Sequence, residues 1–485
     1  CAAPEGAPAS AGARPPAQGW LLAQLQPLTP AARVVRLPVG RGSLAAGGTP
    51  LPSQPAVGGG QWLQLPPLEG VTLRRLWRKR GGARPSTVAV PAAAAPLDPV
   101  RVIAGDGSGA GSGDGSGARR WRLENALLAV QLGPEGIEQI WDRTARPCLA
   151  APLAWRRWAD RGEFWDAWDI AADHRAHPLP WTWHGAPQWL ERGPLCARFL
   201  WRGRCGASPL RLEGRLRAAS PCLELTLAVD WRQRHELLRL ELPLARPALR
   251  WAADTPGGVI ERPAAALTGP EQARWEVAAL RWLASVETAA GGGVAVLLDG
   301  PQGVSGDQER LGVSLLRAPT WPDPGADNGW QRQRLAVMPC PRGWRADGVP
   351  AAALRLREPL WCRPQPAAAA PGAADLVGSD LLGSESLPLW PALPPDVEMI
   401  SLRRDPCEGQ HRALLVALQN LGPCLRCWAV PPGWQLLEQV DGLGRATVAD
   451  PASGAARAGD GKDELRLRPW QLAFWRLVWT GDQSS

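Results

Sequence analysis

The chain has no tyrosine, three phenylalanines and two methionines, yet it carries twenty-seven tryptophans. One residue type therefore fills nearly every aromatic position. Tryptophan has a large apolar body that suits a core and a ring face that stacks on sugars. The tryptophans are scattered through every segment, so most are read as core fillers. Lysine is nearly missing too: only Lys79 and Lys462 occur, and the net charge of +8 rests on arginine. A basic balance raises the question of nucleic acid. Here the arginines alternate with leucines along extended segments, as in Leu465–Trp470 (LRLRPW). The densest cluster, Arg74–Arg80 (RRLWRKR), reads as a solvated strand end rather than a phosphate grip. No nucleic-acid partner is expected. There is no run of eighteen uncharged apolar residues, so no transmembrane helix and no membrane partner are expected.

Metal-binding and redox signals are thin. Of ten cysteines, Cys424-x-x-Cys427 is the one close pair, without the second half of a zinc ribbon. The low cysteine density and irregular spacing point to a reducing compartment, the cytoplasm. The five histidines are His174, His177, His184, His235 and His411, and no His-x-Asp pair exists. His174-x-x-His177 offers two imidazoles, but Pro178 follows and no third ligand is evident. No metal bound by this chain is expected. The first residue is Cys1 rather than Met, and residues 1–20 lack the basic start and apolar block of a signal peptide. The chain is read as a fragment or processed piece.

With 485 residues, 45% apolar and 21% charged, the chain is globular and too long for one core, so two to four domains are expected. Residues 1–19 are rich in Ala, Pro and Gly and read as disordered or linker. Short strands are predicted at Trp20–Gln26, Arg33–Leu37, Gln61–Leu65 and Val71–Leu76, the last two separated by a turn at Pro66–Gly70. They make a small β domain over 20–82. Residues 83–118, with GDGSGAGSGDGSG at Gly105–Gly117, read as a flexible linker. From 119 to 362, apolar and polar residues alternate with period two. Leu223, Leu225, Leu227 and Val229 form one row, and Leu238, Leu240, Leu242 and Leu244 another. That pattern predicts strands with one wet face. No stretch of twelve or more residues shows helical periodicity with caps, so a large antiparallel sandwich is expected. Residues 363–388 read as a second linker. A terminal β sandwich over 389–485 is built from Val397–Leu402, Ala413–Gln419 and Leu465–Trp479.

Candidate chemistry gathers in two stretches. Leu315–Trp330 (LLRAPTWPDPGADNGW) follows a strand predicted at Gly312–Arg317. Pro322 and Pro324 lack amide hydrogens, so the strand must leave its ladder here. The loop then presents Asp323, Asp327, Asn328 and Gly329 between Trp321 and Trp330. Arg317 is expected to pair with Asp323 and shape the loop. The second stretch is Trp165–Ile170 (WDAWDI), where Trp165 and Trp168 flank Asp166 and Asp169. These two carboxylates suit sugar hydroxyls, a neighbouring domain, or each other within the loop. The Leu315–Trp330 loop also reads as a proline-punctuated turn whose aspartates bond local amides.

LLRAPTWPDP-x3-N-G resembles a segment of the C-terminal region of glycoside hydrolase family 38, the retaining α-mannosidases. Three further stretches are similar to that region in the same order: Leu123–Asp142 (LENALLAVQLGPEGIEQIWD), WDAWDI and Gly258–Pro263 (GVIERP). The resemblance covers roughly residues 20–480. It implies an all-β chain: a small β domain, a large antiparallel supersandwich of galactose-mutarotase-like kind, and a terminal β sandwich. It implies a zinc ion and an aspartate nucleophile in an N-terminal catalytic domain, which would be this chain's partner, and an α-mannoside substrate. No catalytic residue is assigned to this chain. Its contribution would be substrate-side shape from Trp165, Asp166, Trp168, Asp169, Arg317, Asp323, Asp327, Asn328 and Gly329. The chain alone is expected to be inactive, and a homo-oligomer is compatible with the resemblance. There are departures. Asp327-Asn328-Gly329 replaces a D-R-G of many members, and Gln331 and Cys340 stand where many bacterial-type members have histidines. Trp321 replaces a tyrosine. The residues by themselves leave open a stand-alone carbohydrate-binding β protein, or a structural β assembly that mediates subunit contacts.

Overall fold

The computed structural model describes residues 19–38, 44–46, 49–78, 96–105, 120–162, 166–289, 291–300, 302–358, 360–365, 386–405, 413–447, 456–457 and 463–480. Most of the expected linker segments 1–19, 83–118 and 363–388, and Trp165, lie outside them.

The first sheet is organised by two long strands. Gly19–Leu37 and Gln61–Arg78 pair antiparallel, from Gly19 opposite Trp77 to Leu37 opposite Gln61. The four short strands and the turn at Pro66–Gly70 expected from sequence are thus replaced by two strands that run through their prolines. The register shifts between Gln24 and Arg33 instead. Proline withholds a ladder donor but accepts extended backbone, so it produces a bulge here rather than a reversal. The buried Gln24 carboxamide closes the gap, its Nε2 donating to the carbonyls of Leu68 (3.3 Å) and Gly70 (2.8 Å). Gly70 has φ +61°, and a Cβ there would lie 1.9 Å from the Trp390 carbonyl oxygen, so only glycine fits. Trp390 ends Ser386–Trp390, which pairs with Gln61–Arg78, while Trp361–Gln365 pairs with Gly19–Leu37. Strands from far along the chain therefore complete the first sheet.

Two larger antiparallel sheets form the centre. One has six strands, in the order Pro178–Leu179, Ala154–Ala159, Glu236–Pro243, Arg310–Leu316, Gln302–Gly306, Val277–Ala279. The other has nine. Trp181–Arg192, Cys196–Cys205, Ser208–Arg217, Leu223–Trp231 and Gly329–Pro339 are followed by Val294–Leu298, Trp282–Val286, Arg250–Thr255 and Gly258–Pro263. Both sheets feed one apolar core, in which Leu225, Leu227, Leu335 and Val337 join Leu238 and Leu240. A four-stranded sheet from residues 101–142 adds Leu123, Val130 and Ile140.

The alternating strands do not have the wet face expected of them. Arg239 is 1% exposed, bonded to Glu276 (3.0 Å), Ser314 (3.2 Å) and Ser305. Glu224 is 3% exposed and held by Arg215 and Arg217. A charged residue with a partner can be buried, so it preserves a period-two pattern without marking water. The outer face of the nine-stranded sheet is covered by a helix, Val349–Arg357, whose Val349, Ala353 and Leu356 pack on Trp282, Leu297 and Met338. That explains why Val294–Leu298 is apolar at every position and buried throughout.

The last strands form a four-stranded sheet (Val397–Arg404, Ala413–Asn420, Leu472–Trp479, Trp434–Val440) and a three-stranded one (Arg426–Ala429, Asp463–Leu467, Ala456–Arg457). They share a core that includes Val416, Trp475, Trp428 and Leu465. The single strand expected at Leu465–Trp479 is two, one in each sheet. The break falls at Pro469–Trp470, where Trp470 takes φ +63°. Buried Asn420 stitches the corner, its Nδ2 donating to the carbonyls of Cys424 (2.7 Å) and Arg468 (2.9 Å). Among the described residues no helix is long and apolar enough to cross a membrane.

Candidate functional site

Strand order brings the two candidate loops together. Ala154–Ala159 and Arg310–Leu316 both pair antiparallel with Glu236–Pro243, on opposite sides of it. They therefore run in the same direction and leave the sheet at the same end. Ala159 stands opposite Glu236, and Leu316 opposite Leu238. The chain segments 160–171 and 317–329 emerge next to each other there, with His235 between them. The Asp160 amide donates to the His235 carbonyl (2.8 Å), and the His235 amide donates to that of Ala318 (3.1 Å).

Four carboxylates lock the loops. Asp160, 2% exposed, accepts from Arg317 Nε (2.6 Å) and from the Ala171 amide (2.7 Å). Arg317 Nη2 also donates to the Asp169 carbonyl. The expected Arg317–Asp323 pair does not form, because Arg317 is drawn to a carboxylate on the neighbouring loop. Asp166, 7% exposed, reaches across in the other direction. It accepts from the amides of Thr320 (2.7 Å) and Trp321 (3.0 Å) and lies 3.4 Å from His235 Nδ1. Burial works to raise the Asp166 carboxyl, but those amides and His235 outweigh it and hold the group below the usual carboxylate range. Asp327, at φ +61°, accepts from the amides of Arg317 (2.8 Å) and Ala318 (3.0 Å). Asp169 Oδ1 accepts from Trp275 Nε1 (3.1 Å) and the Ile170 amide (2.8 Å).

The remaining candidates divide into anchors and display. Asn328 is an anchor: its Nδ2 donates to the Gln233 carbonyl at 2.9 Å. Gly329, at φ +100°, turns the chain into Gly329–Pro339. Asp323 is exposed and forms an Asx turn with the Gly325 amide (2.9 Å). Trp168 and Trp321, 66% and 46% exposed, lean on each other with ring centroids 5.2 Å apart. Trp165 lies outside the described residues, and Trp330 projects separately, 72% exposed. The structure thus brings Asp166, Trp168, Asp169, Arg317, Trp321, Asp323 and Asp327 into one clasp. It adds Asp160, His235 and Trp275, which sequence reasoning missed. No local signal marks these three, since each acts on a loop far away in the chain.

This arrangement presents indole faces and hydroxyl-bonding groups on a rigid base. Asp160, Asp166 and Asp327 are each engaged by N–H donors. The histidine pair does not assemble a metal site. His174 is buried with Nδ1 2.7 Å from the Ala171 carbonyl, while His177 is exposed beside Asp173 (3.1 Å). Burial pulls the His174 imidazole down. Among the described residues no group of three or more His, Cys, Asp or Glu side chains is placed to hold a metal. The zinc implied by the resemblance does not fit the residues described.

Comparison with known proteins agrees with this architecture. Residues 123–325 match the glycosyl hydrolases family 38 C-terminal domain. The chain is 26% identical over 343 residues to alpha-mannosidase 2C1 of Homo sapiens, covering 68% of this chain and 32% of that protein. It is 30% identical over 181 residues to alpha-mannosidase G of Dictyostelium discoideum, covering 36% of this chain and 16% of that one. The chain therefore spans a third or less of these relatives. A solved alpha-mannosidase from Enterococcus faecalis V583 superposes with a TM-score of 0.65 at 12% identity, over 95% of this chain and 56% of that chain, a likeness of fold. Over residues 123–325, then, this chain is similar to the C-terminal domain of glycosyl hydrolase family 38.

Proposed function

We propose that this chain supplies the C-terminal β region of a retaining, zinc-dependent α-mannosidase and shapes the substrate side of its active site. The observation that carries the reading is the clasp. It is built from the WDAWDI and APTWPDP stretches, and it displays the Trp168–Trp321 pair above fully bonded carboxylates. Retaining glycosidases need a nucleophilic carboxylate and a separate acid/base. The clasp carboxylates hold loops instead, so the nucleophile and the zinc are assigned to an N-terminal catalytic domain, the partner that docks here. The exposed indoles and Asp323 are the groups that meet an α-mannoside. A reducing, cytoplasmic setting is part of the same proposal, in line with the low density and irregular spacing of cysteines in the sequence.

Purified residues 1–485 and the whole reading frame should be assayed on a chromogenic α-mannoside. Only the whole protein should turn over, and Trp321→Ala in it should lower kcat/KM by about tenfold, chiefly through KM. Zinc-dependent turnover by residues 1–485 alone, or an unchanged kcat/KM in Trp321→Ala, would reject the proposal.

A further inference from the structure

Three parts of the chain meet at a seam that holds more positive charge than negative. Ala31–Val34 of the bulged first strand, residues 217–224 of the nine-stranded sheet and the helix Val349–Arg357 enclose a cavity of about 80 Å³. Arg33, Arg217 and Arg355 line it, against one carboxylate, Glu224. That carboxylate is already engaged, since Arg215 and Arg217 both bond it. Arg33 is left with a neutral acceptor, Gln24 Oε1 at 3.3 Å, and Arg355 with the Thr29 carbonyl at 2.9 Å. The Nε–H groups of Arg215, Arg217 and Arg355 are buried and meet no acceptor. Burial and the fields of Arg217 and Arg355 pull Arg33 down to about 9, and burial lowers Arg355 as well.

Cations withdrawn from water without counter-charge are unfavourable, and buried N–H donors without acceptors add to that. An anion in the cavity supplies the missing counter-charge. The guanidinium fork matches the oxygen edges of a tetrahedral oxyanion. The space is more than a single water needs. We propose that this cavity binds one small oxyanion of phosphate or sulfate size between Arg33, Arg217 and Arg355. Its oxygens accept from guanidinium groups on the first sheet, the nine-stranded sheet and the helix, so binding clamps the seam. The site is read from its own charges and does not rest on the proposed hydrolase role.

Calorimetric titration of the full-length protein with sodium phosphate, against sodium chloride at equal ionic strength, tests it. The natural sequence should show a saturable site that Arg33→Gln or Arg355→Gln weakens about tenfold or more. Arg355→Lys, which keeps the charge, should fall between. Phosphate should also raise the thermal midpoint of the natural protein and not of the glutamine variants. Absence of saturable phosphate uptake by the natural protein, or affinity unchanged in both glutamine variants, overturns the site. So does a loss of stability in Arg355→Gln that is the same in phosphate and in chloride. That result would mean the arginine is structural, or that a carboxylate from elsewhere in the protein fills the cavity.

Discussion

The loop clasp and the arginine cavity treat charge in opposite ways. In the clasp, Asp160, Asp166 and Asp327 each accept two or more N–H bonds, and the one guanidinium present, Arg317, meets a carboxylate. At the cavity, Glu224 is shared by two arginines while Arg33 and Arg355 find only neutral oxygens. A charge that is fully matched inside the protein does architectural work. An unmatched, half-buried one calls for something from outside. The clasp accordingly offers its apolar indoles outward, and the cavity offers its cations.

Three variants would break or sharpen this contrast. The largest effect is expected from Asp160→Ala, which strands Arg317 at 15% side-chain exposure. Removing one member of a buried pair should cost about 3 kcal/mol, read by urea denaturation, and should loosen both loops together. A loss under about 1 kcal/mol would mean the clasp is not held by this pair.

Asp166→Asn should cost less, about 1–2 kcal/mol, because one carboxamide oxygen still accepts an amide. This effect is pH-dependent. The Asp166 carboxyl lies below its ordinary value when folded, so its contribution is fully present above the unfolded value near 4. It is lost as pH falls through the folded value. The melting difference between natural protein and variant should therefore be full at pH 7 and shrink below about pH 4. A difference that grows on acidification would contradict the assignment.

The smallest effect is expected from Arg33→Gln in phosphate-free buffer. It removes a cation that has no carboxylate partner, so stability should change by less than about 1 kcal/mol, in either direction. A loss comparable to that of Asp160→Ala would erase the distinction between the two regions.

Much of this was legible beforehand, and the failures have a common cause. Alternation and proline–glycine punctuation located most strands, and clustered aspartates with flanking tryptophans marked both loops. The prolines of Gly19–Leu37 and Gln61–Arg78 misled, because a missing donor can be absorbed by a bulge once another strand supports the ladder. Arg239 and Glu224 misled, because alternation reports polarity and not exposure. Asp160 and His235 were missed, since nothing in their own neighbourhoods distinguishes them from ordinary strand-end residues.

By itself, then, the sequence determined the all-β class, the antiparallel habit, the loops that carry carboxylates and indoles, and the family motifs. These depend on local backbone preference and on patterns a few residues long. Only the tertiary structure decided which charge meets which. Arg317 lies beside Asp160, not Asp323, because two strands far apart in the chain flank Glu236–Pro243 and run the same way. Arg33 and Arg355 share a cavity because a helix late in the chain packs beside its first strand. Ion pairs and hydrogen bonds require contact at about 3 Å, and strand order, which no local pattern specifies, determines who is within that reach.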